Sequence, residues 1–365
     1  MGRACPDPHR RCLQAPARGP GAGECPGPGV HFLVALTPDI PFPWQQRHWQ
    51  QLQQAREQGR LPHALLLSGA VGLGKSSFAT ALAQALLCQQ PDEAGRACGR
   101  CRSCRLNAAG THPDLHRVSP EEGSSQIRID AVRKLLHDGV LSVGECRHRV
   151  FILEPADALG GPAANALLKT LEEPIDGIHL LLLSAHPEKL PITIRSRCQQ
   201  LRFLPPPGEQ AVAWLEHQGV PGKRAPGLLE ISGGAPLAAL EIAANGADER
   251  YRRMAEEFME LAQGEGNRDP VELAERWLKQ VEPGLLQGYM ISWLLQVIRQ
   301  QLDGGRDGAP VNGVQMPRNL PNLRSVYRLL DNLFEIQRNL NHNLNAQLIL
   351  EKLLLDWYRI ARGAY

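Results

Sequence analysis

The chain has 365 residues, more than one compact core usually holds, and this length predicts two or three domains. Apolar residues make up 43% and charged residues 21%, with no run of eighteen apolar residues, which excludes a membrane-spanning helix and predicts a soluble protein. The formal net charge of +2 is too small to favour an autonomous nucleic-acid binder. Nine cysteines without a secretory segment predict a reducing, cytoplasmic location, where thiolates bind metal.

Composition and periodicity divide the first part of the chain in two. Residues 1–38 are rich in Pro, Gly, Arg and Cys and lack periodicity, which predicts a disordered N-terminal extension. In residues 39–205, apolar runs alternate with helical patterns, as in a doubly wound parallel sheet. The expected strands are 64–68, 149–153 and 178–183.

The remainder of the chain is predicted to be helical. A Pro-rich run at 204–208 can continue neither a helix nor a central strand and predicts a hinge. A small helical domain is expected at 206–246. Residues 247–365 carry apolar residues at helical spacing, which predicts a helical bundle with a Gly-rich loop at 303–313. The predicted fold class is therefore α/β plus all-α.

A phosphate-binding loop follows the first predicted strand. Gly69–Ser76 reads G-A-V-G-L-G-K-S and matches G-x-x-x-x-G-K-[ST] between a strand and a helix. Gly69, Gly72 and Gly74 allow backbone amides to turn toward phosphate oxygens. Lys75 can reach the outer phosphates and Ser76 can bind Mg²⁺. The pattern favours binding of ATP with Mg²⁺ over the alternative, a Gly-rich turn without a ligand.

The acidic element that hydrolysis requires is incomplete. A phosphate-loop ATPase holds magnesium and polarises water with an acidic pair at the end of a neighbouring strand. Here the strand at 149–153 runs into Glu154 and Pro155, and a proline can neither accept a proton nor orient water. Asp157 is a weaker substitute. The sequence therefore predicts that nucleotide is bound without hydrolysis, if it is bound at all.

Four cysteines have the spacing of a structural zinc site. Cys88, Cys98, Cys101 and Cys104 read C-x9-C-x2-C-x2-C. Tight C-x2-C spacing lets successive thiolates meet one tetrahedral ion, and four thiolates leave no open position for catalysis. The alternative, four free cysteines, is less favoured. Cys146 and Cys198 lack partner spacing and are expected to be ordinary buried thiols.

A series of motifs carries a family resemblance. After the phosphate loop and the cysteine cluster come Thr111–Asp114, Ile127–Asp130, Asn165–Pro174 and Ser196–Cys198. In this order they resemble the bacterial clamp-loader subunits of DNA polymerase III, the delta prime and tau/gamma groups, which belong to the AAA+ class. The resemblance implies a AAA+ module with a zinc knuckle at 88–104, a small helical lid and a C-terminal helical collar.

Departures from the motor subunits favour the delta prime group. Motor subunits of this family carry Asp-Glu where this chain has Glu154 and Pro155, and a lid arginine where this chain has Leu237. The resemblance also implies a longer C-terminal region for tau. Ser184 stands where motor subunits offer a polar residue to the attacking water, and a purely structural role for it is weighed equally.

The resemblance gives Arg197 a role. In AAA+ rings the arginine of Ser-Arg-Cys reaches the ATP of the neighbouring subunit, so Arg197 is expected to be an arginine finger acting in trans. Without the resemblance, a surface arginine would be the favoured interpretation. Arg195 is interpreted as a solvated charge.

The resemblance implies a stator of the clamp loader, with tau/gamma and delta subunits as partners and with the beta sliding clamp and primed DNA reached through the assembled complex. Polymerase activity would belong to the holoenzyme, and no ATPase activity of its own is expected. Two alternatives stay open: an autonomous ATPase motor, favoured by the complete phosphate loop, and a DNA-binding scaffold, which the arginines around the cysteine cluster could suggest.

Overall fold

The computed structural model describes residues 41–121, 123–124, 126–133, 148–263, 269–302, 321–339 and 345–362. The extension predicted at 1–38 and the Gly-rich loop predicted at 303–313 lie outside the described residues.

A five-stranded parallel sheet forms the centre of the first folded part. Its strands are β1 (Ala64–Ser68), β2 (Leu115–Val118), β3 (Arg149–Leu153), β4 (Ile178–Ser184) and β5 (Gln199–Arg202), in the order β2-β3-β4-β1-β5. The three inner strands are continuous apolar runs because both of their faces are covered. All three were predicted, and β4 extends one residue further, to Ser184.

Helices cover both faces of the sheet. In chain order the helices of this part are α1 (Gln46–Glu57), α2 (Lys75–Leu87), α3 (Arg102–Ala108), which packs against α2, α4 (Gly161–Glu172) and α5 (Ile192–Arg195). One buried cluster includes Trp49 and Phe78 from α1 and α2, and the other includes Leu167 and Leu171 from α4. The sheet therefore has a separate apolar core on each side, which fixes the loops at the carboxyl ends of the strands.

The two edge strands were not predicted. In β5 only Leu201 is buried, and in β2 no residue is fully buried. Edge strands of this kind lack the continuous apolar run by which a buried parallel strand is recognised. Backbone pairing with β1 and β3, rather than side-chain burial, defines them.

The rest of the described chain is helical. Three short helices, α6 (Gly208–His217), α7 (Ala225–Ile231) and α8 (Pro236–Ala244), follow the Pro-rich run. The longer helices after them are α9 (Ala247–Gln263), α10 (Pro270–Leu278), α11 (Pro283–Leu302), α12 (Leu323–Asn339) and α13 (Ala346–Ala361). The predicted fold class, α/β followed by all-α, is confirmed, whereas the exact domain boundaries stay predictions.

Large aromatic side chains organise the C-terminal helices. Phe258 stacks on Trp357 at 4.6 Å between ring centroids, and Trp277 packs edge-on against Trp293 at 5.6 Å. All four side chains are fully buried. The indole nitrogen of Trp357 donates a hydrogen bond to the carbonyl of Phe258 at 2.8 Å, so burial leaves this polar group satisfied.

Within the described ranges, no single helix is both long and apolar enough to span a membrane. Only α7 and α8 pass that test, as a pair, and they are bent by 109° relative to each other.

Candidate nucleotide, arginine and metal sites

The phosphate loop lies at the carboxyl end of β1, and its lysine bonds to the loop itself. Lys75 Nζ donates to the carbonyl oxygens of Gly69 at 2.7 Å and Ala70 at 2.8 Å. Burial lowers the pKa of Lys75, and the nearby charges of Glu154 and Asp157 oppose that shift. The ammonium group is therefore held by carbonyl dipoles at the position from which it would reach a phosphate.

The residues expected to bind magnesium and water bond to one another. Ser76 Oγ donates to Glu154 Oε2 at 2.7 Å, so the loop serine and the first acid of the degraded pair are adjacent. Asp157 Oδ1 accepts hydrogen bonds from Ser184 Oγ at 2.6 Å and from the amide of Ala185 at 3.2 Å. Asp157 and Ser184 thus form a structural pair between β4 and the turn after β3, and Pro155 offers no base.

An N-terminal segment covers the second half of the loop. The side-chain amide of Gln45 donates to the carbonyls of Leu73 and Gly74, both at 3.0 Å. The indole of Trp44 donates to the carbonyl of Leu73 at 3.1 Å. Gln45 is fully buried, and all these bonds link residues far apart in sequence. The loop carbonyls are therefore fixed by the chain just before α1.

Helix α8 contacts the loop from the other side. The amide of Leu237 donates to the carbonyl of Gly72 at 3.1 Å. Gly72 has a φ of +81°, and a Cβ built on it would lie 2.5 Å from the Cβ of Ala238. Only glycine permits both this backbone conformation and this close approach. The small helical segment and the phosphate loop therefore meet backbone to backbone.

Three aromatic side chains connect the segment before α1 with the small helices after the Pro-rich run, both of which contact the phosphate loop. Phe42 stacks on Trp44 at 5.0 Å, and both rings meet Trp214 of α6 edge-on, at 5.8 and 5.3 Å. Trp214 belongs to the helices after the Pro-rich run, whereas Phe42 and Trp44 precede α1. The loop is thus enclosed by segments that contact each other as well as the loop.

The four predicted cysteines converge on one point. The sulfurs of Cys88, Cys98, Cys101 and Cys104 all lie within 4.8 Å of one another. Closest pairs are Cys88–Cys101 and Cys98–Cys104 at 3.9 Å, and Cys88–Cys104 at 3.6 Å. Four sulfurs at about 2.3 Å from a tetrahedral ion would lie about 3.8 Å apart, so the three closest pairs match the spacing of a four-thiolate zinc site.

The cysteines differ in their surroundings. Hydrogen bonds from the backbone amides of Arg100 and Cys101 lower the pKa of Cys98 to about 6. Burial raises the pKa of Cys104 to about 12 and also raises that of Cys88. Backbone amides that point at the sulfurs are typical of thiolate sites. A metal ion at the centre would supply the charge that deprotonates the buried pair.

A buried histidine fixes the cysteine cluster to the sheet. His112 Nδ1 accepts from the amide of Asp114 at 3.1 Å, so its Nε2 carries the proton and donates to Ser103 Oγ at 2.7 Å. Ser103 in turn donates to the carbonyl of Leu87 at 2.6 Å. Ser103 lies between two cysteines, and Asp114 pairs with Arg149 at 3.3 Å. The Thr111–Asp114 motif therefore has a structural role.

Arg197 lies just after α5, on the surface. Its Nη2 pairs with Glu172 Oε1 at 2.7 Å, and its Nη1 donates to the carbonyl of Thr193 at 3.0 Å. The side chain remains 37% exposed, and Glu172 is 50% exposed. The guanidinium is therefore oriented by one carboxylate and one carbonyl while part of it faces solvent. Cys198, the next residue, is buried as predicted, and burial raises its pKa to about 12.

Sequence comparisons identify the family. A family model described as "DNA polymerase III, delta subunit" matches residues 44–207. DNA polymerase III subunit delta′ of Pseudomonas aeruginosa is 38% identical over 325 residues, which cover 87% of this chain and 97% of that protein. The chain belongs to the DNA polymerase III delta′ family.

Two further matches to this delta′-family chain are weaker in coverage or in identity. DNA polymerase III subunit tau of Escherichia coli is 37% identical over 159 residues, which cover 44% of this chain and 24% of that protein. Among solved structures, a gamma-subunit-related protein from Thermotoga maritima is 15% identical, with a TM-score of 0.46, covering 86% of this chain and 100% of that one. The family assignment therefore rests on the full-length sequence relative.

Two features of this delta′-family chain escaped the sequence analysis. The contacts of Phe42, Trp44 and Gln45 with the phosphate loop join segments that no local pattern relates. The interpretation of Arg195 as a solvated charge is wrong for its Nε, which is buried and has no hydrogen-bond partner among the described residues. Cys146 lies outside the described residues.

Proposed function

We propose that this delta′-family chain is a stator of the DNA polymerase III clamp loader. In this role Arg197 acts as an arginine finger on nucleotide bound by an adjacent tau/gamma subunit, while the assembled complex loads the beta sliding clamp onto primed DNA. The observation that carries the proposal is the contrast between an exposed, oriented Arg197 and an enclosed phosphate loop that lacks a base.

The surroundings of Arg197 support a role in trans. A finger must present charge outward and be held in a narrow range of positions, because it stabilises charge that grows on a transferred phosphoryl group. Glu172 and the carbonyl of Thr193 hold the guanidinium while 37% of the side chain stays exposed. An approaching γ-phosphate would compete with Glu172 for the same donors.

The enclosed loop supports a passive role for the chain's own nucleotide site. ATP with Mg²⁺ would be held by Gly69, Gly72, Gly74, Lys75 and Ser76 if Lys75 released its two carbonyl partners. Bound nucleotide supplies phosphate charge but finds no carboxylate at Pro155 to activate water.

The other parts of the proposal follow from the family and the cysteine geometry. Zinc bound by Cys88, Cys98, Cys101 and Cys104 would hold the knuckle at 88–104 together without taking part in catalysis. We propose that the AAA+ module spans 39–205, the lid 206–246 and the collar 247–365. The collar would join those of the tau/gamma and delta subunits in the cytoplasm.

The test is DNA-stimulated ATP hydrolysis by the loader reconstituted with this chain as Arg197→Ala. Loss of the finger is expected to lower turnover by about 10³-fold while the complex stays assembled, because a guanidinium at the γ-phosphate contributes effects of this size. Arg60→Ala is the matched control, since Arg60 is an exposed arginine that bonds to Gln58 before β1. Unchanged turnover in an intact Arg197→Ala complex would refute the finger.

An autonomous ATPase motor is the second candidate, favoured by the complete loop with Lys75 and Ser76. It predicts turnover by the isolated chain that Lys75→Ala abolishes. The stator predicts that the isolated chain shows no turnover above background, so one measurement on purified protein separates the two.

A further inference from the structure

An open pocket lies beside the first residues of the phosphate loop. Its volume is about 460 Å³, and it lies where β1, β4 and β5 end. The backbone of Gly69–Val71 forms one wall, and Phe203 and Leu204 form another. Lys75, Ser76, Glu154 and Asp157 do not line it, so it lies apart from the side chains that would hold ATP with Mg²⁺ and shares with that site only the loop backbone at Gly69.

The charged side chains around this pocket are all basic. Arg195, Arg202 and His186 line it, and no carboxylate is among the described lining residues. Glu188 pairs with His186 at 3.3 Å but lies outside the lining. Two arginines that line the pocket without a carboxylate give it a positive potential, which favours an anion, whereas His186 adds charge only when it is protonated.

Arg195 provides the specific signal. Its Nε is inaccessible to solvent and has no hydrogen-bond partner among the described residues, although Arg195 as a whole is half-buried. A buried guanidinium donor without an acceptor is costly, and most such groups in native proteins are satisfied. A ligand oxygen in the pocket would supply the acceptor once the Arg195 side chain turned its Nε toward the pocket, because Nε has no accessible surface in this structure.

The size and chemistry of the pocket indicate a phosphate group. Guanidinium groups bind phosphate oxygens through paired donors, and ligands of open α/β sheets bind at the carboxyl ends of the strands. We propose that the pocket bounded by Arg195, Arg202 and Gly69–Val71 binds a phosphate group, free or carried by DNA, independently of the Lys75 site. The proposal goes beyond the arginine-finger role and does not depend on it.

A titration of the purified full-length, zinc-loaded chain with inorganic phosphate at low salt tests this, with ³¹P NMR line width as the readout. Saturable broadening is expected. Arg195→Gln is expected to weaken it by about ten- to hundredfold, the size expected for lost charged hydrogen bonds. Arg195→Lys keeps the charge but loses Nε and the planar guanidinium. Its affinity for phosphate is expected to lie between those of the wild type and Arg195→Gln.

Arg60→Gln is the matched control and is expected to leave the broadening unchanged, and Lys75→Ala, which removes any phosphate binding at the loop, is expected to keep the part of the broadening that depends on Arg195. Arg202→Gln gives an independent variant should Arg195→Gln not fold. The absence of saturable broadening would overturn the proposal. A loss in Lys75→Ala but not in Arg195→Gln or Arg202→Gln would overturn it as well, because phosphate would then occupy the loop alone.

A second experiment distinguishes DNA phosphate from a free phosphate compound as the ligand. Fluorescence anisotropy of a short labelled oligothymidine, with and without a 5′-phosphate, is measured for the wild type and Arg195→Gln. Binding that Arg195→Gln weakens and inorganic phosphate competes away assigns the pocket to DNA phosphate. Phosphate broadening that depends on Arg195 without any such binding of DNA assigns it to a free phosphate compound. Either result supports the site itself.

Discussion

The phosphate loop follows the carboxyl end of β1, whereas Arg197 precedes the amino end of β5 and pairs with the last residue of α4, and the two regions also differ in how their polar groups are satisfied. In the loop, Lys75 and the carbonyls of Gly72, Leu73 and Gly74 all have partners within the chain. Arg197 has partners too, yet keeps 37% of its side chain exposed. An enclosed phosphate loop and an exposed arginine are the features expected of a subunit that contributes a residue to the nucleotide site of another subunit.

Gly72→Ala is expected to disrupt the closed region most. The new Cβ would combine a left-handed backbone, costing about 1–2 kcal/mol, with a contact to Ala238 that costs about 1–3 kcal/mol more. Chemical denaturation measures the lost free energy of unfolding.

Gly219→Ala is the matched control for this substitution, because Gly219 has a φ of +86° and nothing within 4 Å of its added Cβ. It is expected to cost only the backbone strain. Equal losses in the two variants would mean that α8 does not restrain the loop.

A buried histidine near the start of β4, His179, is expected to make the free energy of unfolding depend on pH. His179 Nδ1 lies 3.4 Å from the carbonyl of Pro62 and therefore donates, which leaves its Nε2 to accept from His148 Nδ1 at 3.1 Å. Burial, with smaller effects from His148 and His63, lowers the pKa of His179 from 6.5 to about 4. The unfolded chain thus takes up this proton at a higher pH than the folded chain.

Stability should therefore be complete above pH 6.5 and fall between pH 6.5 and 4, by up to about 3 kcal/mol from this group. His179→Gln is expected to flatten this part of the profile of unfolding free energy against pH, whereas exposed His217→Gln leaves it in place. A wild-type slope retained in His179→Gln would assign the pH dependence elsewhere.

Glu172→Gln tests whether the carboxylate of Glu172 orients Arg197 at the exposed surface. The Arg197–Glu172 pair is half exposed, so its loss should change the free energy of unfolding by less than about 1 kcal/mol. Loader turnover should still fall several-fold, because the guanidinium loses the carboxylate that orients it. Turnover equal to wild type would mean that Thr193 alone positions Arg197.

Lys75→Ala should have the smallest effect. If the closed loop is passive, turnover of the reconstituted loader stays within about twofold of wild type. A fall comparable to that of Arg197→Ala would break the comparison and give the chain's own nucleotide site an active role.

The five strands show how much of the fold can be predicted from the sequence. The inner strands β1, β3 and β4 were predicted because burial on both faces demands apolar residues throughout. β2 and β5 were missed because their pairing is to backbone and their side chains stay largely polar or exposed. The local sequence pattern reflects burial, and an edge strand is too little buried to show the continuous apolar run of an inner strand.

The candidate sites divide in the same way. Lys75, Ser76 and the four cysteines were found because their chemistry requires fixed spacing along the chain. The covering role of Gln45 and the burial of the Arg195 Nε depend on contacts across the fold, which no spacing encodes. The role proposed for Arg197 came from the family resemblance, since composition alone favours a surface charge.

The position of β1 within the sheet has a consequence for synthesis. This strand is made early, yet its neighbours are β4, which begins at Ile178, and β5, which begins at Gln199. Until those segments leave the ribosome, the run Ala64–Ser68 has no strand to pair with. Pairing over such sequence distances is slow and exposes apolar surface. The nascent chain is therefore expected to depend on chaperones until Arg202 has left the ribosome.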